Sequence, residues 1–143
     1  MKAILALFIA LSCFAAVQCN MGYRPWNTWC GGEMTTWHLA FDRVPVAGET
    51  SNAHLCVETW PGVTTPVTQI TVSAQGLFNS EKLFSYTFQQ KAIVNSYEPS
   101  CFDLSFPVPL NAPEDLLIHF DFDGYKNQGF VGCVETLVTV ESH

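Results

Sequence analysis

The chain is poor in positive charge. Six lysines and arginines stand against thirteen aspartates and glutamates, for a net charge of −7. A surface of that sign repels phosphates and argues against a nucleic-acid partner. The acids are spread along the chain rather than run together, so they read first as a solubilising surface. Catalytic signatures are also missing. There is no Gly-x-Ser-x-Gly elbow and no glycine-rich phosphate cradle. His38, His54, His119 and His143 are scattered, and no pair has metal-ligand spacing. Asp121-x-Asp123-Gly124 begins like a calcium loop. It lacks the further oxygen ligands and closing glutamate such a loop needs, so it reads as a turn between strands. Glu58, Asp103 and Asp121 are carboxylates of the type a glycosidase pairs, but nothing in their spacing pairs them. No enzyme, metal site or cofactor is expected. Asn-x-Ser/Thr does not occur either, which excludes N-glycosylation.

After residue 17 no apolar run approaches the ~20 residues that span a bilayer. The run before it, Ala3 to Val17 behind Met1-Lys2, reads as a cleaved signal peptide rather than an anchor. Cleavage is expected after Ala15 or after Cys19. The second choice makes 1–19 the leader and 20–143 a single domain of 124 residues (143 minus 19). It also leaves four cysteines, Cys30, Cys56, Cys101 and Cys133, an even number that suits an oxidising compartment. The expected location is extracellular, or the lumen of the secretory-endolysosomal system. A domain of this size can bury a real core.

What the chain does have is period two. Residues 20 to 33 are rich in Gly, Trp and Pro and read as an irregular lead. Beyond them, short apolar stretches are cut by turns every ten or so positions. Trp37, Leu39 and Phe41 alternate with polar neighbours. So do Leu55, Val57 and Thr59, and Ile70, Val72 and Ala74. Phe84, Tyr86 and Phe88 follow, then Phe102, Leu104 and Phe106, then Leu116, Ile118, Phe120 and Phe122. A last strand runs from Phe130 to about Val140. No window keeps helical spacing. The expected fold is all-β, a two-sheet sandwich or small barrel. Seven of the eleven phenylalanines, Phe41, Phe84, Phe88, Phe102, Phe106, Phe120 and Phe122, stand in these stripes. The stripes fit a filled core. They equally fit two sheets that splay apart around an apolar cavity, and the alternation does not choose between these.

The C-terminal third adds a further clue. Phe106-Pro107, then Pro113, then the strand Leu116 to Phe122, then the polar turn Asp123 to Gln128, then Cys133 form an ordered set. Near the other end stand Trp26-Asn27-Thr28-Trp29-Cys30-Gly31 and Pro45-x-x-Gly48. In this order the features resemble the MD-2-related lipid-recognition (ML) family, which includes Niemann-Pick type C2 sterol carriers, group 2 mite allergens and phospholipid transfer proteins. The resemblance implies an immunoglobulin-like β-sandwich that holds a lipid between its sheets. It implies a disulfide between the first and last cysteines, here Cys30 with Cys133. Cys56 and Cys101 are expected to bond each other, a bridge the family pattern does not contain. The family's short Cys–Cys loops have no counterpart here.

The expected function is therefore secreted lipid binding or transfer. The ligand would be a sterol, fatty acid or phospholipid, with a transient membrane or protein contact for ligand transfer. Phe84, Tyr86, Phe88, Phe106, Leu116, Ile118, Phe120 and Phe122 are the expected lining. Trp60 and Val63, beside the Pro61-Gly62 turn, are placed at its mouth. The alternative is a non-enzymatic recognition module with a filled core, such as a lectin, adhesion or inhibitor domain, acting through Trp26, Trp29 and Tyr125.

Overall fold

The computed structural model describes residues 22–125 and 129–142. The expected leader lies outside the described residues. So do Lys126, Asn127 and Gln128 of the last turn. The described residues form two antiparallel sheets and no helix. β1 (Asn27–Gly32), β8 (Phe130–Thr139), β7 (Asp115–Asp123), β4 (Thr65–Gly76) and β5 (Asn79–Val94) make the larger sheet in that spatial order. β2 (Met34–Phe41), β3 (Thr50–Thr59) and β6 (Ser100–Pro107) make the smaller one. The sheets face each other as a β-sandwich, the class the alternation predicts.

The alternation positions the core. Ile70, Val72 and Ala74 of β4 stand in register with Phe122, Phe120 and Ile118 of β7. All six are buried, because partners directly opposite in a ladder share a face. Leu55 and Ala53 of β3 likewise pair with Phe102 and Leu104 of β6. The two inner faces close on one continuous apolar cluster.

Three expectations are corrected. The lead over 20–33 is not wholly irregular, for Asn27–Gly32 is β1. It forms without an apolar stripe because it is tied at the edge of the large sheet, in register with β8 and bonded through Cys30–Cys133. Trp37 does not share a face with Leu39 and Phe41. The register of β2 on β3 jumps between Thr36 and His38, so Trp37 is the extra residue of a β-bulge and is 62% exposed. The turn after β4, which the sequence places at Gly76 and Asn79-Ser80, falls on Leu77-Phe78, with Gly76 closing β4 and Asn79 opening β5.

Both disulfides join the expected pairs, Cys30–Cys133 and Cys56–Cys101. Each lies within one sheet: the first joins β1 to β8, the second β3 to β6. At the corner where the chain passes from β1 to β2, Gly32 has φ +79°, and a β-carbon there would fall 2.4 Å from the Gly132 Cα. Only glycine permits that approach. It brings β2 close against β8, and Glu33 donates its amide to the Val131 carbonyl at 3.0 Å.

Candidate functional site

The packed interior between the sheets is the candidate site, and the eight expected lining residues all face it. Phe106, Leu116, Ile118, Phe120 and Phe122 are fully buried and Phe84 nearly so. Tyr86 and Phe88 are half-buried and pack against the same cluster. The rings meet in pairs. Phe84 stacks on Tyr86 with centroids 5.3 Å apart and reaches across to Phe106 at 5.8 Å. Phe102 and Phe122 meet across the sheets at 5.9 Å. Four open depressions lie elsewhere on the surface, and none of these four reaches the eight residues.

β5 explains the graded burial. It is sixteen residues long and lies at the edge of the large sheet, paired only with β4. Its inward residues, Phe84, Tyr86, Phe88 and Ala92, face β6 along that edge. Moving from Phe84 to Phe88, the side chains pass from buried to half-buried. Trp60 and Val63 lie instead at the β3–β4 turn, at one end of the sandwich. There Thr59 Oγ1 donates to the Val63 carbonyl at 2.6 Å, and Trp60 meets Trp29 edge-on at 6.0 Å. Trp26, Trp29 and Tyr125 are all exposed. They form no single surface: Trp26 precedes β1, near the end of β8, while Tyr125 follows β7 at the opposite end.

Two buried hydroxyls went unnoticed in the sequence. Ser51 pairs with Phe106 and Thr36 with Val57, so both share the inner face of the small sheet. Ser51 Oγ and Thr36 Oγ1 are buried without a hydrogen-bond partner. Such a group costs about 1–3 kcal/mol relative to a satisfied one. Ser51 does sit at period two with Ala53 and Leu55, which was the available signal. The bulge at Trp37 hides the placement of Thr36.

The acidic candidates do not converge. Glu58 and Asp103 belong to the small sheet's strands, and Asp121 lies on the outer side of the large sheet. Burial, the main cause, raises the Asp121 pKa above the usual carboxylate range. Neighbouring Asp123 adds to the rise, while His119 and Lys82 oppose it. Burial also lowers the His38 pKa, with smaller contributions from Arg24 and His54. Among the described residues, two sets of groups are close enough to share an ion: His54 with Cys56 and Cys101, and Cys30 with His119 and Glu135. In both sets the sulfurs are spent in disulfides and offer no thiolate.

No protein-family model matches the chain, and no curated protein matches it by sequence. Solved structures do. The C-terminal domain of Wzt superposes with a TM-score of 0.62 at 14% identity, over 85% of this chain and 82% of that one. Spo0M, the sporulation control protein of Bacillus subtilis, gives 0.59 at 13% identity over 79% of this chain. This chain spans about half of Spo0M, 51% of its length. A Niemann-Pick type C2 protein from the Japanese carpenter ant gives 0.50 at 12% identity, over 79% of this chain and 97% of that one. At these identities the likeness is one of fold. A two-sheet sandwich common to three differently titled proteins leaves function to the site.

Proposed function

We propose that this protein binds a lipid between its two sheets and releases it without a covalent step. The observation that carries this reading is that the inter-sheet space is lined by apolar side chains and spanned by neither disulfide. Along the β5–β6 edge the inner faces meet through apolar packing, and the 95–99 connection and the Thr59 amide bonded to the Asn95 carbonyl tie one end of it. A chain or ring system entering there would replace one set of apolar contacts with another. Burial is worth about 0.8 kcal/mol per methylene, so ten carbons would supply roughly 8 kcal/mol before ordering costs. Micromolar binding needs about that much. The unpaired Ser51 and Thr36 hydroxyls offer partners for a sterol hydroxyl or a carboxyl group. The Niemann-Pick type C2 fold neighbour and the ordered features from Phe106 to Cys133 support the same reading. The two disulfides suit an oxidising, extracellular or lumenal compartment.

The experiment is ligand uptake by delipidated protein. Fluorescent sterol, fatty acid and phospholipid are titrated in turn, and native mass spectrometry counts what remains bound. One of the three should bind at one equivalent, and Phe88→Asp at the rim should weaken it at least tenfold. Protein that copurifies with no lipid and takes up none of the three would overturn the reading.

A further inference from the structure

The outer face of the small sheet carries a second arrangement, independent of the interior. The registers of β2 on β3 and β3 on β6 set its outward side chains in cross-strand rows. His38, Cys56 and Cys101 form one row, and Ala40, His54 and Asp103 the next. In the third, the Asp42 amide donates to the Asn52 carbonyl at 3.0 Å, and Asn52 pairs with Ser105. An open groove of about 340 Å³ lies over the second and third rows; Asp42, Asn52, His54, Asp103 and Ser105 border it, and most of its surface is apolar, from Ala40, Phe41, Ala53 and Leu104 among others.

The polar groups hold one another in place. Ser105 Oγ donates to Asn52 Oδ1 at 2.6 Å, and Asn52 Nδ2 donates to Asp42 Oδ2 at 2.8 Å. Asp42 Oδ1 accepts the Arg43 amide at 2.9 Å. His54 Nδ1 stands 2.7 Å from Asp103 Oδ1. These bonds leave capacity unused: the second Asn52 N–H, the second Asp103 oxygen and the lone pairs of Ser105. Donors and acceptors alternate over the groove at strand spacing. Outside the groove, next to the first row, the bulge pushes Trp37 outward, its ring 6.2 Å from that of His38.

We propose that this groove is a binding site for a neutral carbohydrate. A pyranose presents adjacent hydroxyls, each both donor and acceptor, which suits a mixed row of carboxylate, amide, imidazole and hydroxyl. A further ring extending past the groove toward the first row would present its C–H face to the electron-rich face of Trp37. Two carboxylates on a chain of net charge −7 disfavour a phosphate, sulfate or acidic sugar. The groove's volume accommodates about one or two rings, at the lower end of ordinary ligand sites. The site needs nothing from the interior and does not depend on lipid binding.

The test is affinity electrophoresis of the delipidated protein through native gels containing mannan, β-glucan, starch or galactomannan, with alginate as an acidic control. Retardation is expected in at least one neutral gel and not in alginate. Ser105→Ala and Asp103→Ala should each weaken it at least tenfold, and Trp37→Ala should weaken it as well. All three positions are exposed, so folding should survive, which circular dichroism checks. Phe88→Asp should be retarded by the same factor as wild type, each variant being compared with its own mobility in a gel without polysaccharide. Migration unchanged in all four neutral gels would sink the proposal. So would retardation by alginate alone, or retardation that Ser105→Ala and Asp103→Ala leave intact.

Discussion

Along one rim of the sandwich, β1, β8 and β2 crowd together. Gly32 nearly touches Gly132, Met34 is fully buried against that corner, and Cys30–Cys133 bonds the edge strand to its neighbour. Along the other rim, β5 and β6 face each other through aromatic side chains. Tyr86 and Phe88 are half-buried there, neither disulfide joins the two sheets, and the 95–99 connection with the Thr59–Asn95 backbone bond ties them at one end. The Cys56–Cys101 bridge lies near this rim but stays within the small sheet. The same two sheets are thus stitched by close backbone contacts along one side and held mainly by side-chain packing along the other. On the proposed reading, it is the packed edge that parts to admit a lipid.

The comparison breaks most readily at the stitched rim. Replacing Cys30 and Cys133 together by alanine opens a loop of sequence separation 103. The chain-entropy account assigns such a bond about 4–5 kcal/mol. Urea denaturation should therefore find a large loss, with lipid uptake at the opposite rim retained at low temperature. Loss of uptake in a double variant that is still folded would mean that the two rims do not act separately.

A pair of alanine substitutions sharpens the contrast between core and rim. Phe120 is fully buried in the middle of the large sheet, and Phe120→Ala should cost about 3–5 kcal/mol. Phe88→Ala, half-buried on the edge strand, should cost less than about 2 kcal/mol. Equal losses in urea would show the β5–β6 rim to be as tightly packed as the centre. Native-state hydrogen exchange asks the same question without mutation. The bonded amides of β5 should exchange faster than those of β8, because opening the free edge requires less of the structure to unfold.

Much of this architecture is legible in the chain, for a physical reason. Where one face of a strand is buried, period two must appear, and the stripes Phe84 to Phe88, Phe102 to Phe106 and Leu116 to Phe122 declare their strands directly. β1 was not legible. Its order comes from hydrogen bonds to β8 and from Cys30, and neither leaves an apolar alternation. The bulge at Trp37 was hidden as well, since one inserted residue leaves the spelling of the strand unchanged and moves a side chain from core to surface. The inner-face candidates were therefore readable from the sequence. The polar groove was not, because its rows come from three strands and exist only once the registers of β2, β3 and β6 are set.

The smallest effect concerns acid, and it again separates the stitched rim from the open one. His38 lies on β2 at the stitched rim, its Nε2 buried without a partner and its pKa lowered by burial, then by Arg24 and His54. Its folded pKa lies below the unfolded value of 6.5. Between the two values the unfolded chain holds a proton that the folded chain does not. Stability then falls as pH drops through 6.5 toward the folded pKa, and levels off below it. Asp121, on the large sheet, acts in the opposite sense. Its raised pKa makes its charge a penalty at neutral pH, and acid removes that penalty. Thermal melts of wild type and His38→Asn from pH 7.5 to 5 isolate the histidine. The wild type should lose more stability over that range than the variant. In hydrogen exchange the acid-dependent part should concentrate in β2 and leave β5 unchanged. Matching pH profiles for the two proteins would mean that burial on the outer face of β2 does not hold His38 neutral.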